Sequence, residues 1–206
     1  MALYHSMTEM IGETPLLALE RLGRQRGWRA EVLAKLEYFN PAGSVKDRAA
    51  LGMIRAAEEA GRLRSVVTQN IDGLHQAAGS RRVWELHGSV HRNHCMRCGK
   101  PYPVEFIRDS KGVPRCSCGS VVKPDVVLYE ESLDSRVLEG ALADIQSADL
   151  LIVGGTSLAV YPAAGLIRYY RGERVVLLNK SPTPYDSQAD LVISAPIGQV
   201  LEQIKA

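Results

Sequence analysis

No apolar run in this chain approaches the roughly 20 residues that a helix needs to cross a bilayer, so the sequence offers no helical membrane span. The N-terminal string MALYHSMTEM has no basic stretch leading into an apolar one, so a secretory leader is not expected. The cytoplasm is the expected compartment. Basic and acidic side chains nearly balance, 25 against 23 for a net charge of +2, and no dense basic stripe occurs. Nucleic-acid binding therefore lacks its electrostatic footprint, and neither nucleic acid nor membrane is expected as a partner. Eighteen glycines and ten prolines among 206 residues are too few for a low-complexity or collagen-like chain. What remains is ordinary globular material, 46% hydrophobic and 23% charged, enough for one sizeable core or two small ones.

Cysteine is scarce too, and its placement is specific. There are four, Cys95 and Cys98 in CMRCG and Cys116 and Cys118 in CSCG. A structural zinc takes four ligands at tetrahedral corners, commonly from two short thiolate hooks on a small antiparallel ribbon, here about residues 90–122. Gly99 and Gly119 follow the hooks, where the backbone turns tightly past sulfur. Two disulfides are the competing reading, disfavoured in a reducing compartment. Four thiolates leave no open coordination position, so this zinc is expected to hold structure and take no part in chemistry.

Around the ribbon the pattern is α/β. PDVVLY (124–129), DLLIVGGTS (149–157), RVVLLNK (174–180) and ADLVIS (189–194) read as strands. Residues 135–147 read as a helix with Val137, Leu138, Leu142 and Ile145 on one face, and PIGQVLEQIKA as a closing helix. Strands rich in Val, Leu and Ile alternating with helices imply a parallel sheet covered on both faces, with ligands at the carboxyl ends of its strands. Three strand ends carry polar groups: Thr68, Gln69, Asn70 and Asp72; Gly155, Thr156 and Ser157; and Asn179, Lys180 and Ser181. Turn formers and helix caps often follow strands. Three such ends in one sheet favour a nucleotide-type ligand. His87, in VWELHGS, also follows a strand-like run, where a neutral imidazole can act as a general base. Spacing alone does not separate it from His5, His75, His91 and His94.

The strings TQNIDGLHQAAGS, ELHGS, the two cysteine hooks, KPDVVLYEE, GGTSLAVYPA and LLNKS occur in this order. On them, residues 65–206 resemble the sirtuins, particularly bacterial members, which are NAD-dependent protein lysine deacylases. The resemblance implies an incomplete Rossmann-like parallel sheet with the four-cysteine zinc ribbon inserted. It implies His87 as general base on the NAD ribose, and Gln69, Asn70 and Asp72 around nicotinamide and its ribose. Gly155, Thr156 and Ser157 match a cofactor-binding turn, Asn179 a contact to the adenosine ribose, and Lys180 and Ser181 neighbouring backbone contacts. Val127 and Val160 match positions that pair with an acyl-lysine peptide entering as an added strand. Products would be free lysine, nicotinamide and O-acyl-ADP-ribose. Tyr129-Glu130-Glu131 stands where the family often has Phe-Gly-Glu, a departure in the peptide loop.

Residues 1–64 resemble instead the start of cysteine synthase, through IGETPLLALERL and AKLEYFNPAGSVKDRAALGMIRAAEEAGRL. That resemblance would make Lys46 a Schiff-base lysine for pyridoxal phosphate. The family's SGNTG loop and glycine-rich phosphate cradle are missing, so pyridoxal phosphate is not expected and Lys46 reads as a solvated residue opening a helix over 47–60. The sequence also lacks the Gly-Ala-Gly-x-Ser turn and Phe-Arg loop with which sirtuins grip the NAD pyrophosphate. The expected chain is a chimera or misassembly joined near EEAGRLRS (58–65), with weak or no deacylase activity. The alternatives are a pyridoxal-phosphate enzyme using Lys46, or a non-catalytic zinc module that binds a peptide along Val127 and Val160.

Overall fold

A computed structural model describes residues 7–27, 30, 32–36, 54–197 and 200. The N-terminal part holds a short helix α1 (Met7–Met10), then strand β1 (Leu16–Ala18), helix α2 (Glu20–Arg26) and strand β2 (Leu33–Lys35), with β1 and β2 paired antiparallel. A helix α3 is described over residues 54–59. Lys46 and residues 47–53 of the expected 47–60 helix lie outside the described residues, as do residues 198, 199 and 201–206 of the expected closing helix.

Two parallel sheets follow. The first pairs β3 (Val66–Thr68) with β4 (Val83–Glu85), joined by helix α4 (Leu74–Ala77). An antiparallel ribbon then interrupts the α/β pattern: β5 (Gly88–Cys95), β6 (Pro101–Tyr102), helix α5 (Val104–Arg108) and β7 (Val122–Val126), with β5 in the middle. Helix α6 (Ser135–Gln146) leads to β8 (Leu150–Gly154), β9 (Arg174–Leu178) and β10 (Leu191–Ile193), the second parallel sheet, in the order β10-β9-β8. Asp134 caps α6 by accepting from Arg136 N at 2.8 Å and Val137 N at 3.1 Å, which satisfies donors at the helix start.

The apolar face predicted for α6 is the one it buries. Ala141 and Ile145, with Val137, Leu138 and Leu142 around them, form one cluster with Val67, Trp84 and Leu86 of the first sheet region. Asp144 on the same helix is 4% exposed; its carboxylate accepts from Trp84 Nε1 at 2.6 Å and pairs with Arg82 at 2.8 Å. The 3₁₀ helix Ala163–Tyr169 gives Ala163 and Leu166 to this cluster and Ala164 and Ile167 to a second one, with Leu158, Leu177, Tyr185 and Val153. That helix is the apolar link between the two sheets.

Three expectations need correction. PDVVLY is not a buried strand of the parallel sheet: Val122–Val126 pairs antiparallel with β5, and Leu128 and Tyr129 beyond it are 55% and 99% exposed. Its apolar letters are shared between a ribbon strand and an exposed loop. Among the described residues the parallel sheet is not fully covered on both faces either: Leu150, Ile152 and Leu191 are about half exposed. Strand alternation turns Leu151 and Val153 of β8 inward, and on the other face Ile197 lies over Gly154, where a Cβ would meet its Cδ1. Finally, the three polar strand ends do not share one sheet, since β3 pairs with β4 and not with β8 or β9. Among the described residues no helix is long and apolar enough to cross a membrane.

Candidate active site and metal centre

The chain passes from parallel sheet to antiparallel ribbon at His87 and Gly88. Leu86 N donates to Thr68 O at 2.9 Å, extending the β3–β4 pairing by one residue, and β5 starts at Gly88. Gly88 has φ 75°, and a Cβ there would run into the carbonyl of Asp125, so the corner needs glycine. The ribbon strand β7 closes over the corner, with Val127 N donating to His87 O at 3.0 Å. Behind it, Glu85 is 7% exposed and accepts from Arg92 Nη1 at 2.6 Å, while Arg92 Nε donates to Asp125 at 2.9 Å. One guanidinium therefore ties β4, β5 and β7 together.

The His87 imidazole is half-buried and its Nδ1 lies 3.1 Å from Gln69 O. A carbonyl can only accept, so Nδ1 carries the proton and, in the neutral ring, Nε2 keeps its lone pair. Gln69, Asn70, Ile71, Asp72, His87, Val126 and Val127 line a cavity of about 440 Å³. The structure thus gathers the first polar strand end, His87 and Val127 in one place. Ile71 and Val126 are lining residues that the sequence did not single out; both are apolar neighbours of residues it did.

The other predicted residues do not line that cavity. Gly155 and Asn179 sit side by side at the carboxyl ends of β8 and β9, where Gly155 N donates to Leu178 O at 3.1 Å and Asn179 N to Ile193 O at 3.2 Å. Several polar side chains have local duties. Thr156 Oγ1 accepts from Leu158 N, Asn179 Nδ2 donates to Ser181 O, and Asp72 Oδ1 accepts from Leu74 N. Ser157, Lys180 and Ser181 are exposed at the same edge. Val160 is half exposed on the loop before Tyr161, whose hydroxyl joins Tyr185 and Arg168. Sequence spacing missed the clamp on the other loop: Lys123 Nζ donates to Glu131 at 2.8 Å and Val126 O at 3.0 Å, and Glu131 also accepts from Leu128 N at 2.9 Å. Lys123 and then the Leu128 N–H hold the Glu131 carboxyl below its ordinary range. Burial holds the His75 imidazole below its ordinary value, against the pull of Asp72 and Glu85.

At the far end of the ribbon the four cysteine sulfurs lie within 4.8 Å of one another. Cys95 Sγ is 3.4 Å from Cys118 Sγ, and Cys98 Sγ 3.6 Å from Cys116 Sγ. Tetrahedral zinc with bonds near 2.3 Å separates its sulfurs by about 3.8 Å, so the spacing fits. The N–H of Cys118, then the Tyr102 hydroxyl, draw the Cys116 thiol down to about 5. Cys98, despite the N–H of Lys100, is pushed up to about 11 by the thiols of Cys95 and Cys116. Four thiolates this close repel unless a cation lies among them, which is the chemistry of a zinc site. Cys95 and Cys116 are buried with Val122 against Tyr102, Phe106 and Ile107, a cluster too small to hold the ribbon by burial alone.

A model of the Sir2 family matches residues 25–162. The match begins upstream of the boundary expected after residue 64. The chain is 57% identical over 161 residues to the NAD-dependent protein deacetylase of Clostridium acetobutylicum, covering 77% of this chain and 66% of that protein. It is 62% identical over 149 residues to the NAD-dependent protein deacetylase of Clostridium perfringens, covering 71% and 61%. Among solved structures, a Sir2 protein with p53 peptide and NAD⁺ superposes with a TM-score of 0.70 at 39% identity, over 75% of this chain and 67% of that one. A Sir2 protein bound to a propionylated peptide gives a TM-score of 0.71 at 40% identity, over 75% and 68%. The chain spans less than two thirds of the length of these curated relatives.

Proposed function

The chain belongs to the Sir2 family, and from that premise we propose that it is an NAD-dependent protein lysine deacylase with His87 as its general base. The observation that carries the reading is the His87 Nδ1 contact to Gln69 O inside a cavity shared with Asn70 and Asp72. That contact fixes the tautomer and leaves Nε2 to take a proton from a ribose hydroxyl. NAD supplies the electrophilic ribose carbon and the nicotinamide leaving group. Gln69, Asn70 and Asp72 offer hydrogen-bonding groups for the nicotinamide and its ribose. Gly155, Thr156, Ser157 and Asn179, with Lys180 and Ser181 beside them, are assigned to the adenosine half, at strand carboxyl ends where such ligands bind.

The acyl-lysine peptide is assigned to the loops carrying Val127 and Val160. Val127 N is engaged by His87 O, which leaves its carbonyl to pair with an added strand. The zinc of the four cysteines holds the ribbon, and with it β7 and Val127. A cluster of free thiols suited to a cation fits a reducing compartment, the cytoplasm. Residues 1–64 are proposed to descend from a cysteine-synthase-like chain joined near residues 58–65, on the strings quoted above. Sequencing the locus across that join tests this part: the join found in the gene supports recombination, and an uninterrupted sirtuin gene there overturns a natural join and points to misassembly.

The test of function is incubation with NAD and an acetyl-lysine peptide, with detection of O-acetyl-ADP-ribose. Turnover is expected to be slow, because the Gly-Ala-Gly phosphate turn does not occur in the sequence, and absent in His87→Ala. Product formation that His87→Ala leaves unchanged would overturn the assignment.

A further inference from the structure

The wall of the cavity formed by residues 69–72 is neither helix nor strand, yet it is held at the carbonyls of Gln69, Ile71 and Asp72. His87 Nδ1 holds Gln69 O at 3.1 Å, Val90 N holds Ile71 O at 3.0 Å, and His91 Nε2 holds Asp72 O at 2.9 Å. All three donors come from the His87 corner and the first residues of β5. Asp72 O can only accept, so His91 Nε2 carries the proton. The next residue, Gly73, has φ 70°, and a Cβ there would lie 2.8 Å from His91 Cδ2. The backbone thus passes in direct contact with the imidazole, an approach that glycine alone permits. Immediately afterwards Asp72 Oδ1 accepts from Leu74 N at 3.0 Å, so the carbonyl hook and the start of α4 together fix this peptide.

We propose that His91 is a positioning residue: by hooking the carbonyl of Asp72 it sets the stance of Asn70 and Asp72 in the cavity and so tunes the affinity for NAD. The proposal rests on the deacylase reading for the identity of the ligand, but the hook is a property of the protein alone. His91 reaches the cavity only through the Asp72 peptide and takes no part in proton transfer.

Two variants separate the hook from general structure. His91→Leu removes the donor, whereas His91→Gln keeps an N–H donor at the same number of bonds from Cα. In the ligand-free protein, amide hydrogen exchange at Leu74, whose N–H is held by Asp72 Oδ1, is expected to speed up about tenfold in His91→Leu and to return towards the parent rate in His91→Gln. In an NMR titration with NAD, His91→Leu is expected to weaken binding about tenfold and His91→Gln to restore it. A merely structural role lowers the folded fraction without this rescue, leaving the NAD affinity of the folded protein unchanged. Unchanged exchange in His91→Leu, or faster exchange with unchanged NAD affinity, would overturn the proposal. If the parent protein binds no NAD, the deacylase reading fails, and the exchange measurement by itself supports or overturns the hook.

Discussion

The corner at His87 and the carboxyl edge of the β8–β9–β10 sheet both end strands in polar residues, but they are built differently. At the corner each group is held from more than one side. His87 is fixed by Gln69 O at its ring and by Val127 N at its carbonyl, over a floor in which Arg92 joins Glu85 and Asp125. At the sheet edge, the side chains of Thr156 and Asn179 make contacts within two residues of themselves, and Leu150 and Ile152 on one face of β8 are half exposed. A general base needs a fixed tautomer and direction, and long-range cross-links supply both. Turns that present N–H groups to a ligand need only short-range geometry, which a few neighbouring residues supply.

The comparison breaks most sharply at the ribbon. Structural zinc contributes on the order of 10–16 kcal/mol in small zinc domains, so chelation or Cys116→Ser is expected to unfold the ribbon and release β7 from the corner. Metal analysis alongside near-ultraviolet circular dichroism checks this, and an unaltered spectrum after complete zinc loss would count against it. Next in size, His87→Ala is expected to lower kcat by about 10²–10⁴, whereas Ser157→Ala raises the NAD KM by about tenfold with kcat much less affected. Equal effects on kcat would erase the distinction drawn between corner and edge. In chemical denaturation, Leu86→Ala at the corner is expected to cost about 2–5 kcal/mol and Ile152→Ala at a half-exposed position of β8 less than about 1 kcal/mol.

The smallest effect concerns the loop after β7. Glu131 is held below its ordinary value of 4.5 by Lys123 and then by the Leu128 N–H. A carboxyl depressed in the folded state stabilises it above the unfolded value and loses that contribution as pH falls through the folded value. Exchange of the Leu128 amide is therefore expected to be slow near neutrality and to gain, below about pH 4.5, an acid-dependent loosening that Glu131→Gln shows at all pH values. Identical exchange in the two proteins near neutrality would show that the clamp holds nothing.

Much of the site was legible from local strings, since local chemistry places it. Cys95 and Cys98, like Cys116 and Cys118, come from hooks of three or four residues, and their sulfurs do converge within 4.8 Å. The strand ending before Gln69 and the one ending before His87 were marked by apolar runs meeting polar turns. The illegible part is long-range. PDVVLY has the letters of a buried parallel strand, but its partner is β5, and pairing, unlike strand propensity, depends on what lies alongside. His91 looked like any other histidine because its partner, Asp72 O, is a backbone carbonyl that no side-chain pattern encodes.

By itself the sequence located the α6 helix, the β8, β9 and β10 strands to within a few residues, and the four cysteines that cluster, because each depends on neighbours close along the chain. Only the tertiary structure decided that β3–β4 and β8–β9–β10 form separate sheets, that Arg92 joins Glu85 to Asp125, and that β7 belongs to the ribbon. The physical reason is that strand partners and buried ion pairs are chosen among segments distant in sequence, by burial and hydrogen-bond geometry that no local window contains.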